Sequence, residues 1–298
     1  MSAPLDVITI GSFDGVHLGH RALLERVRER ASEVGGRSGV VTFSPHPRQV
    51  LNPDGAPALL CSDEEKLQLL RDCGLDRVVV LEFTAELAAL NAEQFIQRLL
   101  LPEVGFSHLV IGHDHGFGRG RSGNATTLQE LSPRLGFDLE VLPPVEILGG
   151  PVSSTRIRHS LALGEIQLAA TLLGRPIVLK GRVVSGHGRG KGLGFPTANL
   201  ALAPEHGLLP RSGVYAVLAL LDGERMPAMM NLGPRPTFGE TSLVPEIHIL
   251  DRQVELNGRE LGVELVEFVR DIARFESVAE LMTQLARDRE RIQGRFAR

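Results

Sequence analysis

Leu5-Asp6-Val7-Ile8-Thr9-Ile10-Gly11-Ser12-Phe13-Asp14-Gly15-Val16-His17-Leu18-Gly19-His20 decides the reading of the first half of the chain. Leu5–Ile10 is apolar and β-rich, the pattern of a buried strand. Glycines at 11, 15 and 19 let the backbone turn tightly and approach a ligand. Arg21–Val34 then carries apolar residues at 23, 24, 27, 31 and 34, a helical stripe ended by Gly35-Gly36. A strand that delivers a glycine turn onto a helix N-terminus presents free N–H groups to an anion. His17 and His20, three apart, point the same way on a helical turn. Two imidazole donors facing one anionic group suit stabilisation of charge on a transferring phosphoryl. The turn matches neither the Walker loop nor the Gly-x-Gly-x-x-Gly pattern.

Working outward, strand and helix signals alternate. Gly39–Phe43, Arg77–Phe83, His108–Gly112 and Asp138–Leu142 read as further strands. Ser62 with Glu65 forms a capping box ahead of one intervening helix, Asn91 with Gln94 opens another, and Thr127–Leu135 is a third. Five strands with helices between them predict a parallel sheet covered on both faces. In such sheets ligands sit beyond the carboxyl ends of the strands. Three segments fall there besides the first turn: Thr42-Phe43-Ser44-Pro45-His46-Pro47, Gly112-His113-Asp114-His115-Gly116-Phe117-Gly118 and Ser153-Ser154-Thr155-Arg156-Ile157-Arg158. In the last, the hydroxyls and exposed N–H groups can hold phosphate, with Arg156 or Arg158 as the cation; an ordinary N-cap is the alternative reading.

The pattern changes after Gly174. Ser154–Leu163 and Glu165–Leu173 are short helices, and Gly174-Arg175-Pro176 is a break. Ile177–Ser185, Val214–Leu221, Met226–Asn231, Val244–Leu250 and Val263–Val269 are strands, with a tight hairpin at Asp222-Gly223. This spacing predicts a small antiparallel barrel, followed by a helix that Ser277 and Glu280 cap. The expected division is 1–175 for the α/β domain and 176–298 for the barrel. Gly181 to Gly194 is glycine-rich and leaves N–H groups free for phosphates. Lys191 does not make a P-loop, because the required earlier glycine and following hydroxyl are missing. Thr197 and Asn199 alternate on an extended segment and share a side, where their oxygens can help hold Mg²⁺. Asp251, five residues after Glu246, falls on the opposite face of a regular strand.

Composition narrows the classes. A chain of 298 residues suits two domains. Net charge is −4 and the isoelectric point about 6.2, so no global basic field invites nucleic acid. Zero Trp and one Tyr argue against stacking platforms for single strands. Only three lysines occur (Lys66, Lys180, Lys191), so the cationic charge is nearly all arginine. Cys61 and Cys73 match no metal or redox spacing. No apolar run is long enough to span a bilayer, and the N-terminus reads as a first strand, not a signal peptide. A cytoplasmic protein is expected, without nucleic-acid or membrane partners, as a monomer or weak homo-oligomer.

Gly-x-Phe-Asp-Gly-x-His-x-Gly-His with a later Ser-Ser-Thr-x-Ile-Arg resembles the nucleotidyltransferase module of bacterial bifunctional riboflavin kinase/FMN adenylyltransferases, also called FAD synthetases. The second half is similar to their kinase module: a Gly-rich loop, Leu-Gly-Phe-Pro-Thr-Ala-Asn at 193–199, Gly213-Val214-Tyr215, Asn231-Leu232-Gly233-Pro234-Arg235-Pro236-Thr237 and Pro245-Glu246-Ile247-His248. The resemblance implies ATP-dependent phosphorylation of riboflavin to FMN by the barrel. It implies adenylylation of FMN to FAD, with release of pyrophosphate, by the α/β domain. Mg²⁺ would accompany ATP; FMN and FAD would be substrate and product, not redox cofactors. By resemblance, His17 and His20 are catalytic, and Gly11, Ser12, Phe13, Asp14, Gly15, Ser154, Thr155 and Arg158 serve the transferase ATP. His46 and Asp114 would serve its flavin substrate. In the kinase, Gly181, Gly186, Gly188, Gly194, Phe195, Pro196 and Asn231 would bind nucleotide or flavin, Thr197 and Asn199 the metal, and Glu246 would be the base. Ser12 stands where the family commonly has Asn, His115-Gly116 interrupts its Asp-Phe-Arg-Phe-Gly, and Asn257 replaces a usual Tyr. A kinase with a degenerate transferase, and a flavin sensor without turnover, are the alternatives.

Overall fold

The computed structural model describes residues 6–184, 195–203, 206–234, 243–252 and 254–297. It divides into two compact units, Met1–Ser154 and Thr155–Arg298.

In the first unit β1 (Val7–Ile10), β2 (Ser38–Ser44), β3 (Arg77–Glu82), β4 (His108–Gly112) and β5 (Asp138–Leu142) form one parallel sheet in the order β3-β2-β1-β4-β5. The expected sheet is present. Strand residues alternate between its faces. Ile8, Ile10, Val41, Phe43, Leu109 and Ile111 pack on one side against α5 (Ala92–Phe95), the π-helical segment Ile96–Val104 that continues it, and α6 (Ala125–Leu135). Val7, Val40 and Val110 pack on the other against Leu24 and Val27 of α1 (Leu18–Glu33) and Leu70 of α3 (Asp63–Asp72). Both faces are covered, so the rim of loops at the carboxyl edge is where a ligand can enter. The strand order reverses between β1 and β4, the topological switch point at which such sheets bind ligands. Short elements that the sequence did not suggest fill the connections: α2 (Pro47–Leu51), α4 (Ala85–Ala89), and the hairpin β6 (Glu146–Ile147) and β7 (Gly150–Pro151).

In the second unit α7 (Ser154–Leu163) and α8 (Ile166–Leu173) lead into a closed barrel. Its strands are β8 (Ile177–Val184), β9 (Ala198–Leu202), β10 (Gly213–Leu221), β11 (Glu224–Pro234), β12 (Leu243–Ile249) and β13 (Glu260–Arg270), in the order β10-β11-β12-β9-β8-β13. The Asp222-Gly223 hairpin is realised with both residues at positive φ, 51° and 84°, the twist that a two-residue turn needs. Leu179, Val183, Leu200, Tyr215, Val217, Ala228, Met230, Leu232, Ile247 and Val263 are buried on one parity of their strands and fill the interior. α9 (Val278–Phe296) closes part of the outer face, where Ile292 joins Val214, Ala216, Met229 and Val269. Its start is the expected one, with Ser277 accepting from the Glu280 N–H.

Candidate active sites

The turn after β1 is held in an unusual backbone. Phe13 and Val16 have φ of 51° and 38°, and Gly15 has 78°. For a β-branched residue this is an outlier, of the kind retained where a loop shape matters. Burial fixes it: Phe13 is 1% exposed and Val16 is fully buried in the layer beneath α1. Asp14, also buried, accepts from the Leu60 N–H at 2.8 Å, and its own carbonyl accepts from the Ser154 hydroxyl at 3.1 Å. Asp14 and Ser154 therefore tie three loops of this rim together.

His17 is the N-cap of α1. Its Nδ1 accepts from the His20 N–H at 3.3 Å, so the proton of neutral His17 sits on Nε2. The two rings stack with centroids 3.6 Å apart, tilted by 14°. An added Cβ at Gly19 would meet the His17 ring at 3.3 Å and the Val152 carbonyl at 3.4 Å; the small residue between the histidines permits the stack. Burial first, and then the nearby His17, holds the His20 imidazole well below its ordinary range, so His20 is neutral. Its Nδ1 is buried with no hydrogen-bond partner. An unpaired buried nitrogen costs about 1–3 kcal/mol. The arrangement sets two stacked imidazoles, that of His20 neutral, beside a helix N-terminus.

The other rim segments divide. His46, 7% exposed, caps α2: its Nδ1 accepts from the Arg48 N–H and the Gln49 side chain accepts from its N–H. Buried Lys66 fixes this loop by donating to the Phe43 carbonyl and to Asp63, which also accepts from Ser44. Asp114 lies exposed past the end of β4, its carbonyl accepting from Arg121. Burial pushes the neighbouring His115 down to about 4, and its Nε2 is a second buried nitrogen without a partner. Ser154 and Thr155 open α7, with Arg158 at the start of its second turn. Gly11 receives its turn geometry from a hydrogen bond to the Val41 carbonyl, with Ser12 beside it.

The second cluster is set by register on the outer face of the barrel. Glu246 of β12 pairs with Asn199 of β9 on one side and Asn231 of β11 on the other. Directly opposed residues project to the same face with Cβ atoms about 4.5–5.5 Å apart, so one carboxylate lies between two amides. Thr197, two residues before Asn199, is exposed at the end of this row, and Asn199 is buried. Phe195 packs into the apolar patch under α9, while Pro196 is exposed. Gly181 lies within β8, where a Cβ would strike the Ala201 carbonyl at 2.3 Å; strand packing alone demands a glycine there. Gly186, Gly188 and Gly194 lie outside the described residues.

One expectation is corrected. Asp251 is not on a strand: β12 ends at Ile249, and Asp251 sits in the following turn with φ of 59°. Gln293 and then Arg289 of α9 donate to its carboxylate and hold it below the usual range. It is a tether for the C-terminal helix, so it does not compete with Glu246. His248 was not among the expected site residues. Its signal was available: it shares the parity of Glu246, and its Nδ1 lies 2.9 Å from the Pro196 carbonyl. Among the described residues no group of three His, Cys, Asp or Glu side chains forms a metal cage. The donors at 197, 199 and 246 are oxygens, which fits Mg²⁺ carried in with nucleotide phosphates.

Residues 2–156 match the family model described as FAD synthetase, and residues 173–296 match that of riboflavin kinase. The bifunctional riboflavin kinase/FMN adenylyltransferase of Escherichia coli (strain K12) is 41% identical over 283 residues, covering 95% of this chain and 90% of that protein. The Listeria monocytogenes protein of the same name is 33% identical over 294 residues, 98% of this chain and 93% of its own. A solved structure titled as a macrolide-efflux protein from Streptococcus pneumoniae superposes with a TM-score of 0.87 at 30% identity, over 98% of this chain and 95% of that one. Its title does not fit the other matches, and no helix among the described residues is long and apolar enough to cross a membrane.

Proposed function

The chain belongs to the bifunctional riboflavin kinase/FMN adenylyltransferase family, and from that membership we infer how its residues divide two ATP-dependent steps. The enzyme phosphorylates riboflavin to FMN and adenylylates FMN to FAD. In the kinase step Glu246 accepts the proton of the ribityl 5′-hydroxyl as its oxygen attacks the γ-phosphorus of ATP and ADP leaves. Asn199 and Asn231 hold the groups on either side of that carboxylate. Mg²⁺, when bound, neutralises phosphate charge; Thr197 and Asn199 are its proposed protein ligands. In the transferase step a phosphate oxygen of FMN attacks the α-phosphorus of ATP and pyrophosphate leaves. His17 and His20 donate to the phosphates as charge shifts onto the leaving group. Ser154, Thr155 and Arg158 are assigned to the same nucleotide, His46 and Asp114 to the flavin substrate. Neither step needs a covalent enzyme intermediate; positioning and electrostatics suffice.

The register that places Glu246 between two asparagines carries the kinase assignment. The direct experiment supplies riboflavin, ATP and Mg²⁺ and separates FMN from FAD. Both products are expected. FMN alone would favour a degenerate transferase, to which Ser12 and His115-Gly116 would then point, and neither product a sensor.

Thr197→Val keeps the side-chain shape and removes the ligand oxygen. It is expected to raise the Mg²⁺ concentration needed for FMN synthesis, while FAD synthesis from supplied FMN keeps its parental Mg²⁺ dependence. Identical kinase titrations in parent and variant would remove Thr197 from the metal site. We also propose that the kinase unit works alone. A fragment 155–298, which keeps α7 and α8, is expected to make FMN and no FAD. A fragment folded by circular dichroism yet without kinase activity would refute this.

A further inference from the structure

We propose that His248 is a positioning residue of the kinase site, which fixes Thr197 beside Asn199 and Glu246 by holding the Pro196 carbonyl; this rests on the kinase roles assigned above. Among the described residues β12 and β9 pair at two positions, Glu246 with Asn199 and Ile247 with Ala198. β9 starts at Ala198, so Phe195, Pro196 and Thr197 lie outside the ladder. Pro196 has no N–H to add to it. Among the described residues two contacts hold this tripeptide. The Phe195 ring sits in the apolar patch with Met229 and Ile292 and lies 5.2 Å, centroid to centroid, from the His248 ring. The Pro196 carbonyl meets His248 Nδ1 at 2.9 Å. A carbonyl only accepts, so Nδ1 carries the proton and donates.

His248 stands two residues from Glu246 on one face of β12. The side chain that fixes the approach to Thr197 and the proposed base are therefore carried by one short strand. The ring is 7% exposed, but Pro196 is exposed. Water can take over the carbonyl if the imidazole is lost, so the bond adds little to stability. What it adds is a fixed position for the residue before Thr197. Small misplacements of positioned groups cost large factors in rate, which separates this role from simple packing.

The test uses the full chain with three substitutions. His248→Phe keeps a ring against Phe195 and removes the donor. His248→Gln moves the donor out toward the Nε2 position. His248→Asn places an amide N–H near that of Nδ1. FMN formation is expected to fall about tenfold or more in the Phe and Gln variants, with a raised Mg²⁺ midpoint and a near-parental KM for riboflavin. His248→Asn should recover most of the loss. FAD formation from supplied FMN, and the thermal midpoint, should stay close to the parent in all three. Parental Mg²⁺ dependence and rate in His248→Phe would overturn the proposal. So would an Asn variant as impaired as Phe while folded, since the ring rather than the donor would then matter. Thr197→Val run in parallel separates the premises: if it shifts the Mg²⁺ midpoint and His248→Phe does not, the positioning role alone is wrong. If Thr197→Val is itself silent, the metal assignment fails first.

Discussion

Replacing His17 or His20 with Ala is expected to slow FAD formation by about 10²–10³, the loss seen when one preorganised donor is removed from a developing oxyanion. The donors are preorganised by the fold. The His17 proton is on Nε2 because Nδ1 caps α1, and His20 is pressed against it and kept neutral by burial. His17→Ala also removes a helix cap, at a cost of about 1 kcal/mol. His17→Asn keeps a cap acceptor for the His20 N–H and removes only the ring, so its rate reports the chemistry. FMN formation should hardly change in any of these variants, because Glu246 and its neighbours belong to the barrel. A folded His17→Ala/His20→Ala double variant that makes FAD at the parental rate would end the assignment.

Glu246→Gln is expected to lower FMN formation by at least tenfold while leaving riboflavin and MgATP affinity near parental values. General-base assistance typically supplies about 10²–10⁴. An amide of the same size preserves the pairing with Asn199 and Asn231 but cannot take a proton from the ribityl hydroxyl. FMN-to-FAD conversion should survive. Normal turnover in this variant, measured as single-turnover FMN formation, would show that the base has been misplaced. Asp251→Asn is the matched control, and it should act through the tether to α9 and not through the chemistry.

The sheet could be read from the sequence because its strands announce themselves locally. Val7–Ile10, His108–Gly112 and Asp138–Leu142 are short apolar or alternating runs bounded by turn residues. Five of the six barrel strands were equally visible, and the hairpin at 222–223 set the register of the longest pair; β9 (Ala198–Leu202), read only as an extended segment at 197–199, is a strand because β8 and β12 pair with it from distant parts of the chain. What the chain could not show locally is anything that depends on a distant partner. Asp251 follows an apparent strand run, yet the turn at Ile249 and the donors 38 and 42 residues away on α9 remove it. The stack of His17 on His20 needed the three-residue spacing, but the tautomer of His17 came only with the cap geometry. His248 looked like an ordinary strand residue because its partner, the Pro196 carbonyl, lies 52 residues earlier.

The alternation along β11 and β12 has a consequence for how this enzyme can change over generations. Ala228, Met230 and Leu232, with Ile247 and Ile249, face the barrel interior; Met229, Asn231, Glu246 and His248 face outward. Neighbouring codons therefore answer to different demands, one to the packing of the interior and the next to the outer face, where Met229 packs under α9 and Asn231 and Glu246 carry the roles proposed for the kinase. With the roles proposed above, a substitution at 246 or 231 would alter the kinase step and spare the interior, whereas one at 230 or 247 would disturb the packing of fully buried side chains first. Loss of one activity thus leaves a folded scaffold on which a new ligand preference can be selected.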